Sequence, residues 1–484
     1  MTGLTQIPIG WVETTLGQLL EPSKQKSDPT KEKESNYIGL EHIEKDTGKV
    51  LRYGTSKEVR SQKNRFHSGD LLYGRLRPYL NKVYLPEFDG VCSTDIIVFP
   101  RNHWLSSKFM KYRLLNIDFV RYANQNMSGV QHPRIDFQTL GRFKLYLPPL
   151  PEQHRIADKI EELFSFLDAG GASLQVVQAQ LKRYRQVVLK AAFEGKLTEQ
   201  WRLAHKDKIE PATKLIDIIK EERKKKLQAQ YKERPLVELD RLPKLPDGWV
   251  WTNCANLSWL VTSGSRDWKK YYSNEGPIFI RTQNINTNKL NLEDIAHVRI
   301  PIKTEGKRSL VERNDILTII TGANVGKVAL VDRDIGEAYV SQSVALIKLA
   351  VPEIGQFIQL SMITDGFGKT HLSKMVYGMG RPVLSLENIR DLLVPLAPLA
   401  EQQQIVNGIK QSFFKLDEVE GVVENNLRNS EIMRQSVLKV AFEGKLVPQN
   451  PSDEPADKLL ERIKAEHLSN KSKNNQVELS QYVK

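Results

Sequence analysis

The stretch Gly-Ala-Asn-Val-Gly-Lys at 322–327 looks like a phosphate-cradling loop but fails on spacing. Three residues separate its glycines and Val328 follows the lysine, where a P-loop has four and then a Ser or Thr. Methyl transfer to adenine would need an Asn/Asp-Pro-Pro-aromatic motif, yet the one Pro-Pro, at 148–149, lies between leucines. Asp294 followed by Glu-Gly-Lys at 305–307 imitates a metal-dependent nuclease, but the same tripeptide recurs at 194–196 and 443–445, so it arises cheaply. The nine histidines form no HxxxH or HExxH pair. Cys92 and Cys254 show no CxxC or Cys/His spacing, which argues against a zinc site and a disulfide framework. The chain is expected to be no enzyme and to hold no metal.

Chemistry being absent, charge is the next signal. Net charge is +13 over 484 residues with a pI near 9.3, a balance that invites a polyanion. Its location says more: +7 over residues 1–150, 0 over 151–200, +3 over 201–240, +4 over 241–400 and −1 over 401–484. No run of about 18 apolar residues occurs, and the first residues lack a basic start followed by an apolar stretch. A cytoplasmic protein with no membrane partner is expected.

The positions that escape this positive surplus are those the chain repeats. Residues 188–197 read VLKAAFEGKL and residues 437–446 read VLKVAFEGKL, an offset of 249. At that offset 147–168 falls on 396–417, and the match runs over fifty residues without a gap. Downstream, EPATKLIDIIK at 210–220 pairs with EPADKLLERIK at 454–464 after a five-residue shortening, and upstream IPIGWVETTLGQL at 7–19 resembles LPDGWVWTNCANL at 245–257. The chain is one unit written twice, with approximate twofold symmetry.

Within the shared segment, apolar residues step by four and three from Ile156 through Ile160, Leu163, Leu167, Leu174, Val177, Leu181, Tyr184, Val188 and Ala191, a heptad seam. The second copy runs Ile405, Ile409, Leu416, Val419, Val423, Met433, Val437 and Val440, interrupted by Ser412, Asn426 and Ser430, which read as core defects or a docking point for a third helix. Gly170-Gly171 is expected to loosen or bend the first helix. Pro151 and Glu152 suit a helix start and Gly195 its end; Glu401 and Gly444 take those places in the second copy. A helix over 152–194 would be roughly 64 Å long. Each such helix needs a partner, and antiparallel pairing with its duplicate is expected.

Pro-Leu-x-Glu-Gln opening a long helix and Phe-Glu-Gly-Lys-Leu closing it, both written twice after variable regions, resemble the specificity subunit of type I restriction-modification enzymes over nearly the whole chain. The resemblance implies an α+β protein: two mixed α/β target recognition domains joined by a long antiparallel two-helix coiled coil. Recognition domain 1 is expected at 1–150, the first helix at 151–200, a basic linker at 201–244, recognition domain 2 at 245–398, the second helix at 399–446 and a C-terminal helix and tail at 447–484. Each domain would read one half of a split, asymmetric double-stranded DNA target, and the helices would set the gap. Two modification (methyltransferase) subunits would dock on the shared helices, through the motif residues Glu152, Gln153, Phe193, Gly195, Glu401, Gln402, Phe442 and Gly444. Restriction (translocase and nuclease) subunits would complete the complex, with S-adenosylmethionine, ATP and Mg on the partners and no cofactor on this chain. The alternatives are a free-standing DNA adenine methyltransferase, which a cofactor-binding assay on the isolated chain would reveal, and a non-specific DNA-binding scaffold.

Both variable regions show short Val/Ile/Leu/Phe runs separated by Gly, Asn and Pro turns, which suggests twisted sheet. LLYGRLRPYLNKVY (71–84) and LTIITGANVGKVAL (317–330) align loosely as strand, turn and strand. Such turns can enter a groove, with Arg suited to guanine, Asn to adenine and Lys to phosphate. Arg75, Arg77, Lys82 and Arg134 in the first region, and Arg281, Asn324, Lys327 and Arg381 in the second, are the DNA-contact candidates. The matched loops GVQHPR (129–134) and GMGRPV (378–383) could touch DNA or dock each domain on its helix, with docking favoured. The basic run at 220–234 reads as a solvated helix.

Overall fold

The computed structural model describes residues 7–29, 34–236, 242–265, 268–299 and 307–467. The chain divides into two compact units, Met1–Gln175 with Glu424–Lys484, and Val176–Val423. Each combines one variable region with opposite halves of two 44-residue helices, Leu150–Phe193 and Leu399–Phe442. The α+β class with mixed α/β domains is found.

In the first unit, opening strand Val12–Thr15 pairs antiparallel with Lys144–Leu147, Val12 opposite Leu147. Between them lie a five-stranded sheet, in which Asn36–Ile38 and Gly90–Cys92 run parallel, and a three-stranded sheet ordered Val83–Tyr84, Leu71–Gly74, Ile96–Phe99. The second unit repeats the plan. Val250–Asn253 pairs with Leu393–Leu396, Tyr272–Ile280 runs parallel to Ala338–Val340, and Ile316–Ile319 is flanked by Val328–Leu330 and Val344–Leu349. Leu71–Gly74 and Ile316–Ile319 are buried at every position, so their sequences are mainly apolar rather than alternating, and buried Thr318 satisfies its hydroxyl by donating to the Lys327 carbonyl at 3.2 Å.

The long helices run antiparallel. In the first unit Ile156, Ala157 and Ile160 share a core with Leu438 and Ala441, and Arg434 donates to Asp168 while stacking over Phe164 at 4.8 Å. In the second, Val188, Leu189, Ala192 and Phe193 share a core with Ile405 and Ile409. There Arg185 bonds Asp417 at 2.5 Å and Glu420 at 2.8 Å and stacks over Phe413 at 5.2 Å. The offset of 249 makes these one clamp built twice: an arginine late in one helix reaches a carboxylate and a phenylalanine early in the other.

The seam departs from a pure heptad. Tyr184, Val419 and Met433 are exposed, and Asn426 lies on the exposed face rather than in the core. Leu189, Ala192 and Phe193 are buried instead, because the end of the helix is enclosed by the sheet and helices of its own unit and not by one partner helix alone. Helix geometry continues unbroken through Gly170 and Gly171, and a Cβ at either would meet nothing within 4 Å. The double substitution Gly170→Ala/Gly171→Ala should therefore stabilise the protein by about 1–2 kcal/mol, seen as a raised urea midpoint with unchanged slope.

Each decapeptide carries a left-handed glycine two residues past the end of its helix, Gly195 at φ +71° and Gly444 at φ +70°. The chain packs directly on that turn: a Cβ on Gly195 would lie 2.3 Å from Pro246 Cγ, and one on Gly444 would lie 2.5 Å from Pro8 Cγ. The repeated ending is thus a socket for the repeated Pro-x-Gly-Trp beginning, Pro246 to Trp249 in the second unit and Pro8 to Trp11 in the first.

The basic run at 220–234 is α-helical only as far as Leu227; a 3-10 turn at Gln228–Gln230 and non-helical residues follow, with Arg234 paired to Glu387 and Asp391. In Ala212–Leu227, Lys224 and Lys225 pair with Glu221 and Glu222 at 2.8 and 2.7 Å, while Arg223 turns inward to the carbonyls of Ser258 and Lys232. The tail at 469–476 lies outside the described residues.

Candidate nucleic-acid interface

Three segments far apart in sequence meet at the end of strand Leu71–Gly74. The Arg75 N–H donates to the Asp95 carbonyl at 2.9 Å, Ile135 N–H to the Arg75 carbonyl at 3.1 Å, and Arg77 N–H to the Pro133 carbonyl at 2.7 Å. Ser128 and Arg134 exchange both backbone hydrogen bonds at 2.8 Å, closing the loop between them. The loop thus closes on the hairpin turn, where the sequence had favoured docking on the helix.

The second unit reproduces this frame bond for bond. Ile320 N–H donates to the Ser343 carbonyl, Leu384 N–H to the Ile320 carbonyl and Gly322 N–H to the Pro382 carbonyl, each at 2.9 Å. Tyr377 and Val383 exchange both bonds at 3.1 and 2.9 Å. The backbone is shared and the side chains are not: Arg75, Asp95, Arg77 and Arg134 stand where the second unit has Ile320, Ser343, Gly322 and Val383.

In the first unit Arg134 grips Asp95 with two bonds, 2.9 Å from Nε and 3.3 Å from Nη2, and Arg75 Nε lies 3.7 Å from the same carboxylate. That carboxylate raises the Arg134 pKa through its hydrogen bonds and charge. Arg77 is exposed in a left-handed conformation, φ +51°, unusual for a side-chain-bearing residue and held by its bond to Pro133. These three candidates are brought together. Lys82 is not with them: its ammonium donates to the Leu40 carbonyl, and burial lowers its pKa.

In the second unit Asn324 and Lys327 sit in one turn, with Asn324 exposed, and Arg381 precedes the Pro382 whose carbonyl holds that turn. Arg281 lies elsewhere, after strand Tyr272–Ile280, with Nη2 3.3 Å from the Asp294 carbonyl and 3.4 Å from its carboxylate. Sequence reasoning missed Asp95, whose role appears only when Arg75 and Arg134 converge on it. It also missed the tip residues Val130 and Met379, although the offset of 249 already placed them opposite each other.

The shared helix motifs face inward. Glu152, Gln153, Phe193, Glu401 and Gln402 are buried, and half-buried Phe442 packs on Phe109 with Arg113 over its ring at 5.0 Å. Gln153 accepts from Ser106 N–H and donates to the Pro148 carbonyl, and Gln402 donates to the Ala397 carbonyl. Glu401 accepts from Thr198 at 2.7 Å, Arg202 at 2.6 Å and the Trp249 indole at 2.8 Å. Its counterpart lacks such support: Val447 replaces Thr198, the shortening removes the arginine, and Glu152 Oε1 has no hydrogen-bond partner among the described residues.

Burial raises the Glu152 pKa, against the opposing pull of Trp11 and Arg155. A carboxyl raised in the folded state contributes stability that is full below its unfolded pKa and lost as pH rises through its folded pKa. Glu152→Gln should therefore leave the protein as stable or more so at pH 7 and flatten this part of the pH profile. Glu401→Gln should cost about 2–4 kcal/mol by weakening the hold on a largely buried Arg202. Thermal unfolding of both variants between pH 4 and 8 reads the difference.

Burial raises the pKa of the free thiols of Cys92 and Cys254 to about 12. Among the described residues no group of three His, Cys, Asp or Glu could hold a metal ion, and no helix is long and apolar enough to cross a membrane. Glu305 and Gly306 of the nuclease-like spacing lie outside the described residues.

A duplicated frame of hydrogen-bonded loops that carries different side chains in each copy, on a shared helical scaffold, defines an internally duplicated, modular protein. The family model described as "Type I restriction modification DNA specificity domain" matches residues 8–177 and 261–421. The chain belongs to this family. It is 31% identical to the Type I restriction enzyme EcoBI specificity subunit of Escherichia coli over 375 residues, 73% of this chain and 71% of that one. It is 33% identical to the EcoDI specificity subunit of Escherichia coli over 225 residues, 46% of this chain and half the length of that relative. A chain solved in a study of complex assembly and conformational transition of the type I R-M system shares the fold, with TM-score 0.62, 19% identity and coverage of 91% of this chain and 99% of that one.

Proposed function

We propose that this chain is the non-catalytic DNA specificity subunit of a type I restriction-modification complex. Each recognition domain reads one half of a bipartite, asymmetric target, and the antiparallel helices set the unspecified spacer. The observation that carries this reading is the frame of backbone bonds kept in both units while its side chains change, since a common mount with exchangeable contacts is what two dissimilar half-sites demand. Arg75, Arg77 and Arg134 serve one half, and Asn324, Lys327 and Arg381 the other. Lys82 and Arg281 act from behind, Lys82 holding the Leu40 carbonyl and Arg281 the Asp294 carbonyl.

Two modification subunits dock on the helices, and restriction subunits complete the assembly, which works in the cytoplasm. S-adenosylmethionine, ATP and Mg belong to those partners. The motif residues Glu152, Gln153, Phe193, Gly195, Glu401, Gln402, Phe442 and Gly444 shape the helix ends from within, and exposed apolar side chains such as Phe166, Tyr184, Phe414 and Met433 offer the docking surface. Exchanging residues 20–146 for those of another family member tests the modular picture. Mapping methylated adenines in host DNA should then show one half-motif altered and the other unchanged; a change in both halves, or no split motif at all, refutes it.

A further inference from the structure

At the tip of each closed loop, Val130 is 100% exposed and Met379 fully exposed as well. Single exposed apolar residues are ordinary. A matched pair at one position, 249 residues apart, in loops that otherwise share only their glycine and proline, is not. Each tip follows a left-handed glycine, Gly129 at φ +97° and Gly378 at φ +89°. A Cβ on these glycines would press on the carbonyl three residues ahead, His132 O at 3.2 Å or Arg381 O at 2.7 Å, so the turn is tight. The paired bonds between Ser128 and Arg134 and between Tyr377 and Val383 close the loop behind it. The tip is therefore an apolar side chain on a fixed mount, beside exposed Arg77 and Arg134 in one unit and Arg381 in the other.

Two antiparallel segments lie about 5 Å apart before side chains are counted. Such a ribbon fits a major groove about 12 Å wide more readily than a minor groove about 6 Å wide. On the major-groove edges of the bases, the apolar group on offer is the thymine C5 methyl. We infer that Val130 and Met379 are specificity-determining contacts, each packing on the methyl of one thymine in the half-site its own domain reads. This rests on the reading that each domain recognises one half of a split DNA target.

The test uses the full chain bound to its modification subunits, at fixed salt, on duplexes in which each thymine of the target is replaced in turn by uracil, removing only the methyl. In each half-site a single replacement should weaken binding by roughly threefold to fivefold, the value of one buried methyl. Val130→Ala should abolish that sensitivity and leave the other half-site's intact, and Met379→Ala should do the reverse. Since both side chains are exposed, unchanged thermal midpoints will confirm folding. The inference is overturned if the variants keep wild-type sensitivity, if no replacement matters, if a half-motif lacks thymine, or if 2-aminopurine beside the site brightens to show an unstacked step instead. Failure of the underlying reading looks different: the wild-type complex would then bind target and scrambled duplex equally.

Discussion

Arg77→Ala is expected to weaken binding to the half-site read by the first domain by about five- to 150-fold, with base preference relaxed at one position and the other half-motif untouched. The range corresponds to about 1–3 kcal/mol for a guanidinium bidentate on a guanine edge. Arg77 is the candidate to test first because it is exposed and its left-handed backbone is fixed by Pro133, whereas Arg75 and Arg134 share the carboxylate of Asp95. Asp95→Ala should in turn free both neighbours and steepen the salt dependence of binding. Competition binding with every base pair of the half-site varied, at two salt concentrations, measures these effects. If Arg77→Ala lowers affinity equally for all sequences and reduces the salt slope by about 1, the residue meets phosphate and the assignment of base reading fails.

The helix sockets should give the largest loss of stability. Gly195→Val or Gly444→Val forces a β-branched residue into left-handed φ and drives its Cβ into Pro246 or Pro8. About 1–2 kcal/mol for the backbone and about 1–3 kcal/mol for overpacking give an expected cost of about 2–5 kcal/mol. Lys196→Ala, one residue away and exposed, should stay within about 0.5 kcal/mol. Urea denaturation reads both. Equal midpoints for the Val and Ala variants would show that the Pro-x-Gly-Trp segment does not depend on the socket.

The two helices and their direction were legible because duplication and a heptad period are local regularities. The exact faces were not. Tyr184, Val419 and Met433 satisfy the period yet lie exposed, while Phe193 breaks it and is buried against Phe357 and Phe367. Helix periodicity reports a stripe; which part of the stripe is covered depends on the sheets and helices that enclose each helix end. Among the candidate contact residues, the turn context already grouped Arg75 and Arg77, whereas the inward turn of Lys82 depends on the Leu40 carbonyl, forty-two positions away.

The repeated decapeptide shows the same division of labour. Sequence by itself established that the chain is one unit written twice, that its shared part is helical, that known catalytic spacings fail, and that positive charge gathers where the copies diverge. All of these are properties of spacing along the chain. Tertiary structure decided why the repeat is conserved in detail, since Gly195 and Gly444 are sockets for prolines distant in sequence, and what each domain presents at its tip. Those outcomes depend on backbone hydrogen bonds between segments tens of residues apart, and such bonds are chosen by the packing of the whole unit.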